Sequence, residues 1–182
     1  FSEQPVLIAQ GGGLHPGRAR PHCPSVIDDL WYKNAVIYCL DVKTFQDSNH
    51  DGVGDFEGLA RRLPYLSGIG VGAIWLLPFY PSPRRDNGYD ITDYYGIEPA
   101  LGSLGDFAEL AHEAEERGMR IVLDLVVNHT SDEHPWFVSA QSSPDSPYRD
   151  WYVWSADEPP NRRQGTVFPG EQEETWTFDK QA

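Results

Sequence analysis

Apolar and polar positions alternate along this chain in blocks whose periods name the elements. A first apolar run, residues 35–40, is followed by a polar turn at 47–55 and then by Leu59, Leu63 and Leu66 at helical spacing. The spacing predicts a strand over 35–40 and a helix over 56–66, with Pro64 expected to kink or end the helix. Gly68, Gly70 and Gly72 close that unit, and Ala73-Ile74-Trp75-Leu76-Leu77 reads as a second strand. A long loop, 78–102, leads to a helix over 105–117, with Phe107, Leu110, Ala111 and Ala114 on one face and Gly118 as its stop. Met119-Arg120-Ile121-Val122-Leu123 follows as a third strand, apolar enough for a buried parallel sheet. The order β-α-β-α-β with long loops after the strands predicts an α/β fold with a parallel sheet.

The two ends depart from this alternation. Residues 1–30, with Gly11-Gly12-Gly13 and Pro16, Pro21 and Pro24, read as a loose leader. From His129 onward, six prolines break up a stretch rich in aromatics, including Trp136, Phe137, Tyr148, Trp151, Tyr152 and Trp154. That stretch, 129–182, reads as the start of an irregular subdomain inserted after the third strand.

Three polar clusters fall just past the three strands, where a barrel of this type gathers its working groups. Asp124-Leu125-Val126-Val127-Asn128-His129 carries a carboxylate that must find donors, because an unpaired buried charge is costly. Alone, it fits a structural Asp with a surface His as well as a functional pair. Asp86-Asn87-Gly88-Tyr89-Asp90 offers an aromatic face beside a carboxylate, which is what a neutral sugar ring and its hydroxyls require; a turn with a packed Tyr is the plainer alternative. In Asp47 to Asp55, oxygen donors recur at Asp47, Asn49, Asp51, the Val53 carbonyl and Asp55. This suits a hard cation, Ca²⁺ or Mg²⁺. An EF-hand is excluded, because its twelfth position would be Gly58 instead of Glu.

Composition narrows the partners. The 182 residues are 40% hydrophobic and 13% aromatic, enough for a sizeable core. A formal net charge of −14 disfavours nucleic acid and anionic membrane surfaces. The start, Phe1-Ser2-Glu3-Gln4, shows no signal-peptide pattern and no Met, so a cytoplasmic location and a processed or incomplete chain are the expectations. Cys39, in the first strand, is expected to be a small buried hydrophobe.

Taken together, these residues resemble the α-amylase family of glycoside hydrolases, family 13. Asp124 to His129 is similar to that family's Asp-x-x-x-Asn-His signature after strand three. Gly88-Tyr89-Asp90 resembles its sugar-binding loop after strand two. Asp47 to Asp55 resembles the metal loop of its α-glucosidase, oligo-1,6-glucosidase and trehalose synthase branch. His134-Pro135-Trp136-Phe137 and Tyr148 to Trp154 resemble the trehalose synthase type most.

The resemblance implies a partial (β/α)8 barrel, its first three β/α units lying in residues 31–128. It implies an α-glucoside such as maltose, trehalose or a malto-oligosaccharide as partner. Tyr89 would stack on the sugar, Asp90 and His129 would bind its hydroxyls, and Asp90 would also pair with an Arg elsewhere. Asp124 and Asn128 would be structural at the site, and Asp47, Asn49, Asp51, Val53 and Asp55 would hold the metal. The family takes its nucleophile and acid/base from strands four and five, beyond Ala182. The expectation is therefore a fragment of a retaining hydrolase or glucosyl-transferring isomerase, with no catalytic residue of its own. Two alternatives stand beside it: a non-catalytic calcium- or sugar-binding module, and a doubly wound α/β domain with a chance motif set.

Overall fold

The computed structural model describes residues 30–160 and 175–179. Backbone contacts divide the chain into residues 1–34 and 35–182, and the second unit carries the fold. Apart from Leu30, the expected leader lies outside the described residues.

Three parallel strands, β1 (Val36–Leu40), β2 (Val71–Leu76) and β3 (Arg120–Leu123), pair in chain order. Tyr38 stands opposite Ile74, Cys39 opposite Trp75, and Leu40 opposite Leu76; the rows continue with Ile121, Val122 and Leu123. A four-residue helix, α1 (Val42–Phe45), follows β1, while α2 (Phe56–Gly68) and α3 (Leu104–Glu116) are the crossovers. The sheet is thus the β-α-β-α-β unit that the hydrophobic periodicity predicts, within two residues at most boundaries.

Helix ends are set by local chemistry. Asp55 caps α2, its Oδ1 accepting the Gly58 N–H at 2.6 Å. Position 58 tolerates only glycine, because a Cβ there would lie 2.1 Å from the Gln46 carbonyl oxygen. Ser103 and Asp106 form a reciprocal capping box on α3. Pro64 does not end α2, which continues to Gly68. A mid-helix proline costs about 3 kcal/mol. Leu63 and Leu66, both essentially fully buried, flank it and contribute roughly 1.5–3 kcal/mol each, enough to carry the helix through.

Phe56, Leu59, Leu63 and Leu66 of α2 and Leu110 and Ala114 of α3 share one buried cluster with Leu40, Ile74 and Leu76. The opposite face of the sheet, in the rows of Cys39, Trp75 and Val122, is open. Cys39 is therefore exposed, against the expectation of a buried thiol. It is the last of four successive exposed residues of β1, Val36 to Cys39, so both faces of this strand are open there and only Leu40 joins the core.

Past β3 the chain forms α4 (Pro135–Ser142) and a short 3-10 turn at Arg149–Trp151. The prolines made this stretch read as irregular, yet Pro135 occupies the first turn of α4, where its missing N–H costs nothing. The His134 Nδ1 caps that helix by accepting the Trp136 N–H at 3.1 Å.

Candidate functional site

The carboxylate of Asp124 joins the ends of β2 and β3 to the loop between β2 and α3. Asp124 is the first residue past β3, and its backbone N–H still reaches the Leu76 carbonyl at 3.4 Å. Its Oδ1 accepts the Trp75 indole N–H at 2.7 Å, and its Oδ2 accepts the Tyr89 hydroxyl at 2.8 Å. The donors that its charge demands are thus an indole and a phenol. Burial, then the bond and charge of Asp124, push the Tyr89 hydroxyl up to about 12. Tyr89 therefore stays a protonated donor across the working range.

Tyr89 reaches Asp124 through a tight turn. Its N–H bonds the Asp86 carbonyl at 2.8 Å, and Gly88 takes φ +98°, a conformation costly for any residue with a Cβ. Asp90 follows, held at both oxygens: Oδ1 accepts the Ser82 hydroxyl at 2.5 Å and Oδ2 the Arg85 backbone N–H at 2.9 Å. Burial works against its charge, but the Ser82 hydroxyl and the amides of Arg85, Asp90 and Asp86 outweigh it and hold the carboxyl below its ordinary value.

His129 lies across from this loop, its Nε2 3.1 Å from the Tyr89 carbonyl oxygen. The Tyr94 hydroxyl donates toward the carbonyls of Val126 and His129, at 2.8 and 2.9 Å, and fixes the path of the chain between Asp124 and His129. Ser131 N–H bonds the Ile91 carbonyl at 2.9 Å. Asn128 is exposed at a bend beside His129. The structure thus brings Tyr89, Asp90, Asp124 and His129 into one connected network at the C-terminal ends of β2 and β3.

Trp75, Ser82, Arg85 and Tyr94 belong to that network and escaped the sequence reading. One of them had a usable signal. Trp75 carries an N–H that wants a partner, and parallel pairing of the second and third strands sets it two rows before the orphan carboxylate of Asp124, on the same face. Among the described residues, Asp90 meets an arginine only through a backbone amide, that of Arg85. The Arg85 guanidinium reaches Asp132 and Glu133.

The loop after β1 is a chain of Asx turns. Asp47 accepts the N–H groups of Asn49, His50 and Gly52, Asn49 accepts that of Asp51, and Asp51 accepts that of Val53. The Gly52 N–H, ahead of opposing burial and the His50 and Asn49 amides, holds the Asp47 carboxyl below its usual value. Both Asp55 oxygens are engaged elsewhere, one capping α2 and the other accepting the Ser48 N–H and hydroxyl. Among the described residues, no three Asp, Glu, His or Cys side chains gather as a metal cage. Asp47 and Asp51 are likewise bonded at both oxygens, so the hydrogen bonds set no donor of the loop apart from the others.

Comparison with known proteins decides the family. The model of the α-amylase catalytic domain matches residues 38–182. The chain belongs to the α-amylase catalytic-domain family. It is 54% identical over 155 residues to a trehalose synthase of Thermus thermophilus, covering 84% of this chain and 16% of that protein. It is 44% identical over 158 residues to an oligo-1,6-glucosidase of Parageobacillus thermoglucosidasius, covering 85% of this chain and 27% of the relative. Among solved structures, the trehalose-6-phosphate hydrolase of Bacillus licheniformis superimposes with a TM-score of 0.68 at 48% identity, over 72% of this chain and 23% of that one. The three-stranded sheet of this family member corresponds to the start of a (β/α)8 barrel. The chain spans between a sixth and about a quarter of the length of these relatives.

Proposed function

We propose that this chain is the N-terminal part of an enzyme that processes α-glucosides such as maltose or trehalose, by hydrolysis or by glucosyl transfer. The observation that carries the reading is the network in which Asp124 holds Tyr89 while Ser82 and Arg85 hold Asp90. Supporting it, the relatives that match are a trehalose synthase and an oligo-1,6-glucosidase, both several times longer than the chain.

The chemistry of each group follows from its partners. The ring of Tyr89, pinned at its hydroxyl, offers a face to the apolar side of a glucose ring. Asp90 stays ionised and accepts sugar hydroxyls with lone pairs that Ser82 and Arg85 leave free. His129 adds a ring nitrogen across the pocket. Asp124 is a positioning group, already bonded at both oxygens. Retaining cleavage of an α-glucoside needs a nucleophilic carboxylate and an acid/base about 5–5.5 Å apart. We assign neither role within these 182 residues.

Ca²⁺, or Mg²⁺, is proposed at Asp47, Asn49, Asp51, the Val53 carbonyl and Asp55, the last of which also anchors the loop to α2. Such an ion would hold the loop beside the barrel and supply no step at the reacting bond.

Two experiments test this. An enzyme that carries this region together with the remaining barrel strands is expected to turn over maltose or trehalose, and the 182-residue chain alone is not. Turnover by the short chain would overturn the division of labour, and inactivity of both would overturn the function. For the metal, Asp51→Ala is expected to abolish stabilisation by added Ca²⁺ and to lower Tm more than kcat. A variant that keeps its Ca²⁺ response removes the site.

A further inference from the structure

The loop carrying Asp90 and the segment carrying His129 are joined at a point outside the sugar pocket. The Arg85 side chain leaves the 82–90 loop and forks onto Asp132, with Nη1 3.2 Å from Oδ2 and Nη2 3.0 Å from Oδ1; Nη2 also bonds Glu133. The same residue's backbone N–H holds Asp90 Oδ2. Arg85 is thus fixed at both ends, its main chain on the sugar-binding carboxylate and its side chain on Asp132, three residues beyond His129.

We propose that Arg85 is a positioning residue, a charge clamp that fixes the Asp90 carboxylate against the His129 segment and so sets the affinity of the pocket for sugar. The proposal rests on the α-glucoside reading for its ligand, but the clamp itself stands on the fork geometry.

Three features support it. A bidentate guanidinium–carboxylate pair fixes orientation as well as distance, which a lysine cannot reproduce. Two further bonds cross the same gap, His129 to the Tyr89 carbonyl and Ser131 to the Ile91 carbonyl, so a shift of the 131–134 turn is transmitted to the pocket. Asp132, through charge and hydrogen bond, then Glu133, raise the Arg85 pKa against opposing desolvation, so both acids act on one cation.

The clamp is open to solvent: the three side chains are 53%, 61% and 58% exposed. Salt must therefore weaken it, because screening acts over about 3 Å at 1 M. A neutral glucoside carries no charge of its own to screen. Any salt dependence of sugar affinity must come from the protein.

In the enzyme that carries this region, KM for maltose is expected to rise with salt to 1 M. Arg85→Gln should raise KM about three-fold at low salt and flatten that response, with kcat within about two-fold. Arg85→Lys should recover only part of the affinity. Asp132→Asn combined with Glu133→Gln should match Arg85→Gln, and adding Arg85→Gln to that pair should change little. KM and salt response unchanged in Arg85→Gln would overturn the proposal, as would equal losses in kcat and Tm.

A second readout needs no turnover. In the 182-residue chain, Arg85→Gln should speed hydrogen exchange at the amides of Tyr89, Thr92 and Ser131 and leave those of β2 unchanged. Unchanged exchange at those three amides sinks the clamp. An inactive parent enzyme with accelerated exchange in the variant would sink only the α-glucoside reading.

Discussion

On the helix-covered face of the sheet, Leu40, Ile74 and Leu76 are at most 6% exposed and pack against α2 and α3. On the other face, one residue along each strand, Cys39 is exposed and Trp75 is 40% exposed, and Asp124 sits at the rim with its indole and phenol donors. The first face is mostly aliphatic, with Tyr38 and Leu123 left partly exposed on the flanking strands. The second is held by directed hydrogen bonds that fix the Tyr89 ring against Asp124. The same three strands therefore put the buried Ile74 and Leu76 and the Trp75–Asp124 hydrogen bond on opposite faces.

The separation breaks or stands on paired substitutions. Ile74→Ala removes a fully buried side chain and leaves a cavity, so it is expected to cost about 2–5 kcal/mol of unfolding free energy in urea titration. Val122→Ala, on the half-buried row of the other face, should cost much less. Equal losses would show the open face to be a second core. Asp124→Asn should do the reverse, leaving Tm within a few degrees while sugar affinity falls. It exchanges a charge-assisted acceptor for a neutral one, worth roughly 1–2 kcal/mol of Tyr89 positioning. Calorimetric titration with maltose, in the enzyme that carries this region, checks it.

What the sequence disclosed follows the same division. The three strands, α2 and α3 were legible because burying Leu59, Leu63, Leu66, Leu110 and Ala114 forces a helical period, and no competing pattern fits. The site was legible as chemical types at strand ends, Tyr89 and Asp90 in one loop and Asp124 and His129 in the next. Its wiring was not. Pairing Trp75 with Asp124 spans 49 residues, and pairing Arg85 with Asp132 spans 47, so both depend on the register of strands and loops. A proline misled at Pro135, which starts a helix, whereas the helix expected past Pro64 to residue 66 is present, its flanking leucines outweighing the missing hydrogen bond. The buried fate assigned to Cys39 failed because an apolar strand does not specify that both its faces are covered.

The link between metal loop and core gives a smaller test. Asp55 is only 6% exposed and joins α2 to the Ser48 backbone. Asp55→Ala removes a helix cap and is expected to cost about 1–2 kcal/mol. Asp55→Asn keeps one acceptor and should recover part of it. If the two variants melt alike with and without Ca²⁺, Asp55 anchors the loop through hydrogen bonds and is no ligand. A Ca²⁺-dependent difference would support Asp55 as a ligand.

The smallest expected effect lies in the segment after β3, where His134 packs at 4.3 Å between ring centroids on Trp136 and near Tyr94. Its Nδ1 must be unprotonated to accept the Trp136 N–H, so the cap needs the neutral imidazole with its proton on Nε2. Burial pushes its pKa below 6.5, against a weaker opposing pull from the Asp93 charge. The unfolded chain then binds the proton more readily than the folded one. Stability from this residue is full above pH 6.5 and declines as pH falls through that value toward the lower folded pKa. His134→Asn keeps a capping acceptor without the titration, so its Tm should lose part of the slope between neutral and mildly acidic pH. The parent and His134→Asn falling in parallel over that window would place the acid sensitivity elsewhere, and would leave the helix that starts at Pro135 independent of the charge on its cap.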